Sequence, residues 1–297
     1  MDIAFISVAA VLTAIVTAAS WLGLKIATGS TKYAWALALA LGYTIGHISL
    51  VASFGFTAET FGEKFSEWLA AWPTAAYAVA KPAQAIDWLP IGALLAGLVT
   101  VNAAVFGFEK LITWVGGCLI SVLLVIELSG SNIADTTALF SWNAGLPVLL
   151  GIVAIWGAWI SLNQTIEDRS RWTWISSVAA LTTAAVLVMW LAGANEFALL
   201  GIIIFAAVLG GTSVSLVGSG TNNARYSGAV VAAASVGLLL SAWWFSDLAW
   251  YPVAILFLGF VSVGCWLPSV VYKIPHARIS VSVICSVAAV LVAAFVK

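Results

Sequence analysis

The sequence predicts an all-α protein, a polytopic transmembrane helical bundle of about ten spans, and three observations predict it. Hydrophobic residues fill 63% of the 297 positions and charged residues only 8%, against roughly a quarter charged in an average soluble domain. The apolar residues gather into runs close to the ~20 residues that cross a bilayer as a helix. Lysine and arginine alternate between loops as they do in inserted helices. Residues 1–297 read as a single transmembrane domain. A formal net charge of −1 and the lack of any basic run give nucleic acid no surface.

The first run, residues 1–25, has the length of a span, with Asp2 in front and Lys25 behind rather than the basic start of a cleaved signal. It is expected to stay as the first helix. Further apolar runs follow at about 33–56, 89–108, 110–128, 146–165, 172–193, 197–219, 226–246, 250–272 and 279–296. With the N-terminus external, Lys25, Lys32, Lys110, Arg169, Arg171, Arg225, Lys273 and Arg278 fall on the inner side. Only Lys64, Lys81 and Lys297 fall outside. That positive-inside bias favours an even number of spans with both termini external.

Tryptophans are expected to form two interfacial belts. Trp68, Trp72, Trp88, Trp142, Trp190, Trp243, Trp244 and Trp250 lie at the outer ends, and Trp21, Trp35, Trp114, Trp172 and Trp174 at the inner ends. Pro90, Pro147 and Pro252 each fit the first turn of a helix entering from outside, where a missing N–H is not needed. Cys118, Cys265 and Cys285 fall inside predicted spans without zinc-site spacing, so they read as small packing residues.

Residues 57–88 form the one long polar interruption and are expected to be an external interfacial segment. Phe61, Phe65, Trp68, Leu69 and Trp72 line one face of a helix, while Glu59, Glu63 and Glu67 repeat every fourth position on another. Thr60 and Glu63 fit a capping box and Pro73 a stop. An amphipathic helix over about 58–72 follows. It either lies in the outer interface or serves as a lid or docking element, through Glu59, Glu63, Glu67, Trp68 and Trp72, over the mouth of a cavity.

The external segment closing in Asp87-Trp88-Leu89-Pro90, the tight Glu109-Lys110 hairpin and the late Gly210-Gly211 followed by small residues give the chain its layout. In these features it resembles a group of uncharacterised polytopic inner-membrane proteins of planctomycete-type bacteria. That group has no assigned activity, so the resemblance implies no site residue.

Few polar residues lie within the spans, and membrane-embedded ionisable groups are functional candidates because each costs several kcal/mol unless paired or hydrated. His47 is the only ionisable residue well inside a span, and Tyr43 lies one turn before it on the same face. Gly42-x-x-x-Gly46 in the same turn admits a close neighbour. His47 is either hydrogen-bonded in a packed helix interface or in contact with a substrate or proton. Asn102, Asn163 and Gln164 read as interhelical hydrogen-bonding groups. In the seventh span Gly210 opens a Gly-, Ser- and Thr-rich stretch in which Thr212, Ser213 and Ser215 pack against helices or line a cavity. Candidate cavity-lining residues are thus Tyr43, His47, Asn102, Thr212, Ser213 and Ser215.

Ten helices invite a five-plus-five inverted repeat, and Ser49-Leu50-Val51-Ala52-Ser53 matches Ser215-Leu216-Val217-Gly218-Ser219 at an offset of 166 residues. The two histidines fall in different regions, with no catalytic triad and no metal cluster. No enzyme activity, metal or cofactor is therefore expected. Two readings stand: a permease-like carrier of a small uncharged or lipidic molecule, and a non-transporting structural or assembly component of the cell envelope. Membrane lipid is the expected partner, with a small-molecule ligand in the carrier reading.

Overall fold

Apolar runs of span length fold as helices because a bilayer offers no water to unpaired backbone groups. In the computed structural model, the described residues are 3–28, 31–53, 61–82, 84–106, 108–129, 142–164, 171–217, 227–246, 248–263 and 277–295. Their helices in chain order are α1 (Ile3–Thr28), α2 (Thr31–Val51), α3 (Phe61–Ala80), α4 (Trp88–Phe106) and α5 (Glu109–Ser129). Then come α6 (Trp142–Gln164), α7 (Arg171–Leu191), α8 (Asn195–Val217), α9 (Gly228–Phe245), α10 (Trp250–Ser262) and α11 (Ala277–Phe295). Among the described residues nine helices are long and apolar enough to cross a membrane, and α10 is a shorter apolar helix. The protein is a multi-pass membrane protein built as an all-α bundle. Of the ninth predicted run, 250–272, the part from 264 onward lies outside the described residues.

The packing is a closed ring about one axis. Going round, α1 packs on α2, then α4, α5, α6, α10, α11, α7 and α8, which returns to α1. Inside the ring α9 touches α2, α4, α5, α6, α7, α8 and α10. Its span is 83% buried, against 22% for α1 on the rim. The predicted halves are packed differently: α1 sits on α2 and α8, whereas α7, its counterpart in a repeat, sits between α8 and α11. Part of the second matching segment, 218–219, lies outside the described residues.

Small residues set the tightest contacts. A Cβ on Gly42 would lie 1.7 Å from Thr17 Oγ1, and one on Gly46 2.0 Å from Thr13 Oγ1. One on Gly210 would lie 2.3 Å from the Ala14 carbonyl oxygen, so α8 meets the α1 backbone itself. The expected close approach at Gly42-x-x-x-Gly46 is therefore present, with α1 as the partner. The α1 hydroxyls there are satisfied within their own helix: Thr13 donates to Ala9 O at 2.7 Å and Thr17 to Thr13 O at 2.8 Å. Such back-bonding lets a hydroxyl pack in an apolar interface without a partner helix.

Three expectations about the rim change. The helix expected to be external runs Phe61–Ala80, passing through Pro73 rather than ending at Trp72. Its buried stripe continues beyond the proline: Trp68, Ala75 and Val79 pack with Phe5, Ile48 and Ala52. The alanine-rich stretch favours helix, and packing on α1 and α2 offsets the lost N–H of Pro73. In α6, which starts at Trp142, Pro147 lies inside the helix rather than in its first turn. The tryptophan belts are also thinner than expected. Trp21, Trp35, Trp68 and Trp174 are buried in helix packing, with Trp35 against Gly211. Trp114, Trp190 and Trp250 are exposed and suit headgroup level.

Candidate functional site

The candidate site begins on α2. Tyr43 and His47 are four residues apart on one helical face, with ring centroids 5.9 Å apart in an edge-on arrangement. Tyr43 is 1% exposed and His47 0%. Neither the Tyr43 hydroxyl nor either His47 ring nitrogen has a hydrogen-bond partner among the described residues. A neutral imidazole carries one N–H donor and one acceptor nitrogen, so three polar groups are buried here unpaired. Each such group costs about 1–3 kcal/mol.

Among the described residues most other buried hydroxyls are paired, those of Ser177 and Ser235 excepted. Thr44 donates to Ala40 O, Thr100 to Ala96 O, Ser121 to Gly117 O, Thr182 to Val178 O and Ser282 to Arg278 O. Serine and threonine reach their own preceding turn; tyrosine and histidine are too long to do so.

Next to this pair, α3 covers the end of α2. Trp68 Nε1 donates to the Ser49 carbonyl at 3.0 Å. The Trp68 ring lies 6.3 Å from Phe5, 5.3 Å from Phe65 and 5.8 Å from Trp72. Trp68 is thus a buried anchor rather than an exposed docking residue, and Trp72 is partly buried against the same cluster. Glu67 is exposed. Glu59 lies outside the described residues, as do the side chains of Glu63 and Ser215. At the same end the buried Asp87 carboxylate accepts the Gln84 N–H at 3.2 Å, in the turn that opens α4.

The remaining predicted site residues do not gather here. Thr212 is buried and donates to Leu209 O at 2.8 Å, and Ser213 is exposed and donates to Gly210 O at 2.8 Å. Gly211 packs on Trp35, twelve residues before His47, about 18 Å away along α2. Asn102 is exposed on the outer face of α4, beside the exposed Leu98, Val105 and Phe106. Asn163 Oδ1 is buried without a partner among the described residues, 2.8 Å from where a Cβ on Gly228 would stand. Among the described residues Asn102 and Asn163 Oδ1 make none of the interhelical hydrogen bonds expected of them, and the side chain of Gln164 lies outside the described residues. An interhelical bond of that kind comes instead from Ser161, whose hydroxyl donates to the Phe260 and Val261 carbonyls at the end of α10.

Two further polar groups escaped the sequence reading. Ser235 is buried, its hydroxyl has no partner among the described residues, and it lies in a π-helical segment, Ala232–Val236, inside α9. Nothing in an Ala-Ala-Ala-Ser run signals that insertion. Arg278, counted as a loop charge, is 6% exposed in the first turn of α11; its place at the edge of an apolar run was the available signal. Among the described residues no group of three or more His, Cys, Asp and Glu could hold a metal ion. No protein-family model, curated protein or solved structure matches the chain.

Proposed function

We propose that this multi-pass membrane protein is a permease-like carrier of a small uncharged or lipidic molecule. The observation that carries the reading is the unpaired Tyr43–His47 pair, buried on an inner face of α2 beside the end that α3 covers through Trp68. In a bundle whose hydroxyls are largely satisfied within their own helices, polar groups without partners suit a ligand that supplies them. The scarcity of charged residues favours an uncharged cargo over an ion. In this reading α3 is a lid on the outer face of a bacterial inner membrane and both termini are external, an orientation supported by the loop charges. No catalytic step is assigned.

The test is uptake by proteoliposomes carrying the full chain, with radiolabelled glycerol and a long-chain alcohol as probes. Faster movement than in protein-free vesicles, reduced by Tyr43→Phe, supports the carrier. Equal rates for both probes with and without protein count against it. A reporter fused after Lys297 that becomes active only in the cytoplasm would refute the external C-terminus.

One observation favours the second reading, a structural or assembly component. Phe65, Leu69 and Tyr77 of α3 are exposed, at 40%, 55% and 63%, and offer an apolar face to lipid or to a partner. Loss of an envelope complex on replacing all three by serine, with transport absent throughout, would select that reading.

A further inference from the structure

Helix α3 carries two apolar faces, and the bundle occupies one of them. Trp68, Ala75 and Val79 turn inward and pack with Phe5 of α1 and with Ile48 and Ala52 at the end of α2. Leu69 follows Trp68 by about 100° round the helix. With it Pro73 and Tyr77, spaced every fourth residue, continue as an exposed row. Phe65 opens the row, its ring 5.3 Å from Trp68. Glu67 and Thr74 lie seven residues apart, hence on one line of the helix, and form a third sector that is exposed and polar. Going round α3, a buried sector is thus followed by an apolar exposed one and then by a polar exposed one.

The contacts of α3 set its depth. Trp68 Nε1 donates to the Ser49 carbonyl at 3.0 Å, two residues before the end of α2 at Val51. The Trp68 ring lies 6.3 Å from Phe5, two residues after the start of α1 at Ile3. The anchor of α3 is therefore about 3 Å from the ends of two helices long and apolar enough to cross a membrane. Of these, α1 is a rim helix, its span only 22% buried, and its exposed Ile3, Val11 and Ile15 form a surface for lipid. Pro73 narrows the depth further. It sits inside α3 and donates no N–H, which leaves the Leu69 carbonyl without its helical donor. Water or a lipid headgroup satisfies that oxygen at the membrane boundary, whereas the hydrocarbon core offers nothing.

We infer that Leu69, Pro73 and Tyr77 form a lipid-binding face, seated between the acyl chains and the headgroups of the leaflet at the α3 end of the bundle. The three sectors of α3 match the three surroundings that meet there: the helix ends of the bundle, lipid, and water. Leucine and proline are apolar, and Tyr77 adds a ring for the acyl boundary with a hydroxyl that reaches headgroup oxygens. Glu67 and Thr74 then stay in water, as an interfacial helix requires. The face is continuous in level with the lipid-facing surface of α1, so lipid covers it with no further partner. Helix α3 is fastened on two sides, to α2 through Trp68 and to the leaflet through this row. The inference rests on neither reading of function, since a lid and a structural element could both be held in this way.

The experiment uses the full chain in vesicles of phosphatidylethanolamine and phosphatidylglycerol, with Cys118, Cys265 and Cys285 replaced by alanine. Single nitroxide labels are attached at Leu69→Cys, Tyr77→Cys, Glu67→Cys and Thr74→Cys. Relaxation by oxygen, which concentrates in lipid, is compared with relaxation by a water-soluble nickel chelate. Oxygen should dominate at the first two positions and the chelate at the last two. Equal access of the chelate to all four would place the row in water. Shielding of the Leu69 and Tyr77 positions from both reagents would place the row against protein, a partner or a second copy. Either result would overturn the lipid face. A second measurement, on the unaltered chain, does not depend on the variants folding. A phosphatidylcholine with a diazirine at the glycerol end of one acyl chain should label peptides that contain Leu69 and Tyr77. Labelling of α1 at Ile3 with none on α3 would overturn the inference as well.

Discussion

Two faces of α2 meet the same apolar surroundings in opposite ways. On one, Gly42 and Gly46 receive Thr17 and Thr13 of α1 at distances no larger residue would allow. The polar atoms there are closed within α1. On the other, one residue further along, Tyr43 and His47 are as deeply buried and bonded to nothing among the described residues. The first face shows how a membrane bundle packs when hydroxyls are short enough to reach their own backbone. The second shows where the same bundle leaves polar chemistry open. Packing accounts for the first face completely and for the second only in shape, which is why function is sought there.

The comparison breaks first at Gly210, where α8 meets the α1 backbone and no rotamer change can make room. Gly210→Val should destabilise the bundle by about 3 kcal/mol or more and remove most folded protein, measured as the monodisperse fraction after purification. Wild-type yield and melting temperature would mean that α1 and α8 are not in contact. Next comes Trp68→Phe, which keeps the ring packing but strips the donor from the Ser49 carbonyl. A loss of about 1–2 kcal/mol, seen as a melting temperature lower by a few degrees, is expected; faster protease cleavage in α3 should accompany it. The smallest effect belongs to Thr13→Val on the closed face. Its hydroxyl serves only the Ala9 carbonyl, so the change should stay within about 0.5 kcal/mol. A larger loss would show that the hydroxyl also holds α2.

The spans were legible because hydropathy and length alone demand them, and the i, i+4 pairing of Tyr43 with His47 follows from helical geometry. Direction within a span was not. A helix that is apolar all round carries no contrast to say which face turns inward, and so Asn102, expected to line a cavity, points outward instead. Pro73 read as a stop because propensity was weighed without the α1 and α2 surface that Ala75 and Val79 cover. Trp21, Trp35 and Trp174 read as belt residues because an indole near a span end suits lipid headgroups and helix packing equally; only the neighbours decide. Ser235 was invisible because a π turn is an insertion in hydrogen-bond register, not in composition.

The central claim, that the second face of α2 holds polar groups left open for a ligand, is tested most directly by the melting temperature of Tyr43→Phe in nanodiscs without added ligand. Removing an unpaired buried hydroxyl relieves a desolvation penalty, so the melting temperature should equal or exceed that of the wild type. A fall as large as that of Trp68→Phe would mean that the Tyr43 hydroxyl already has a partner, and would contradict the account.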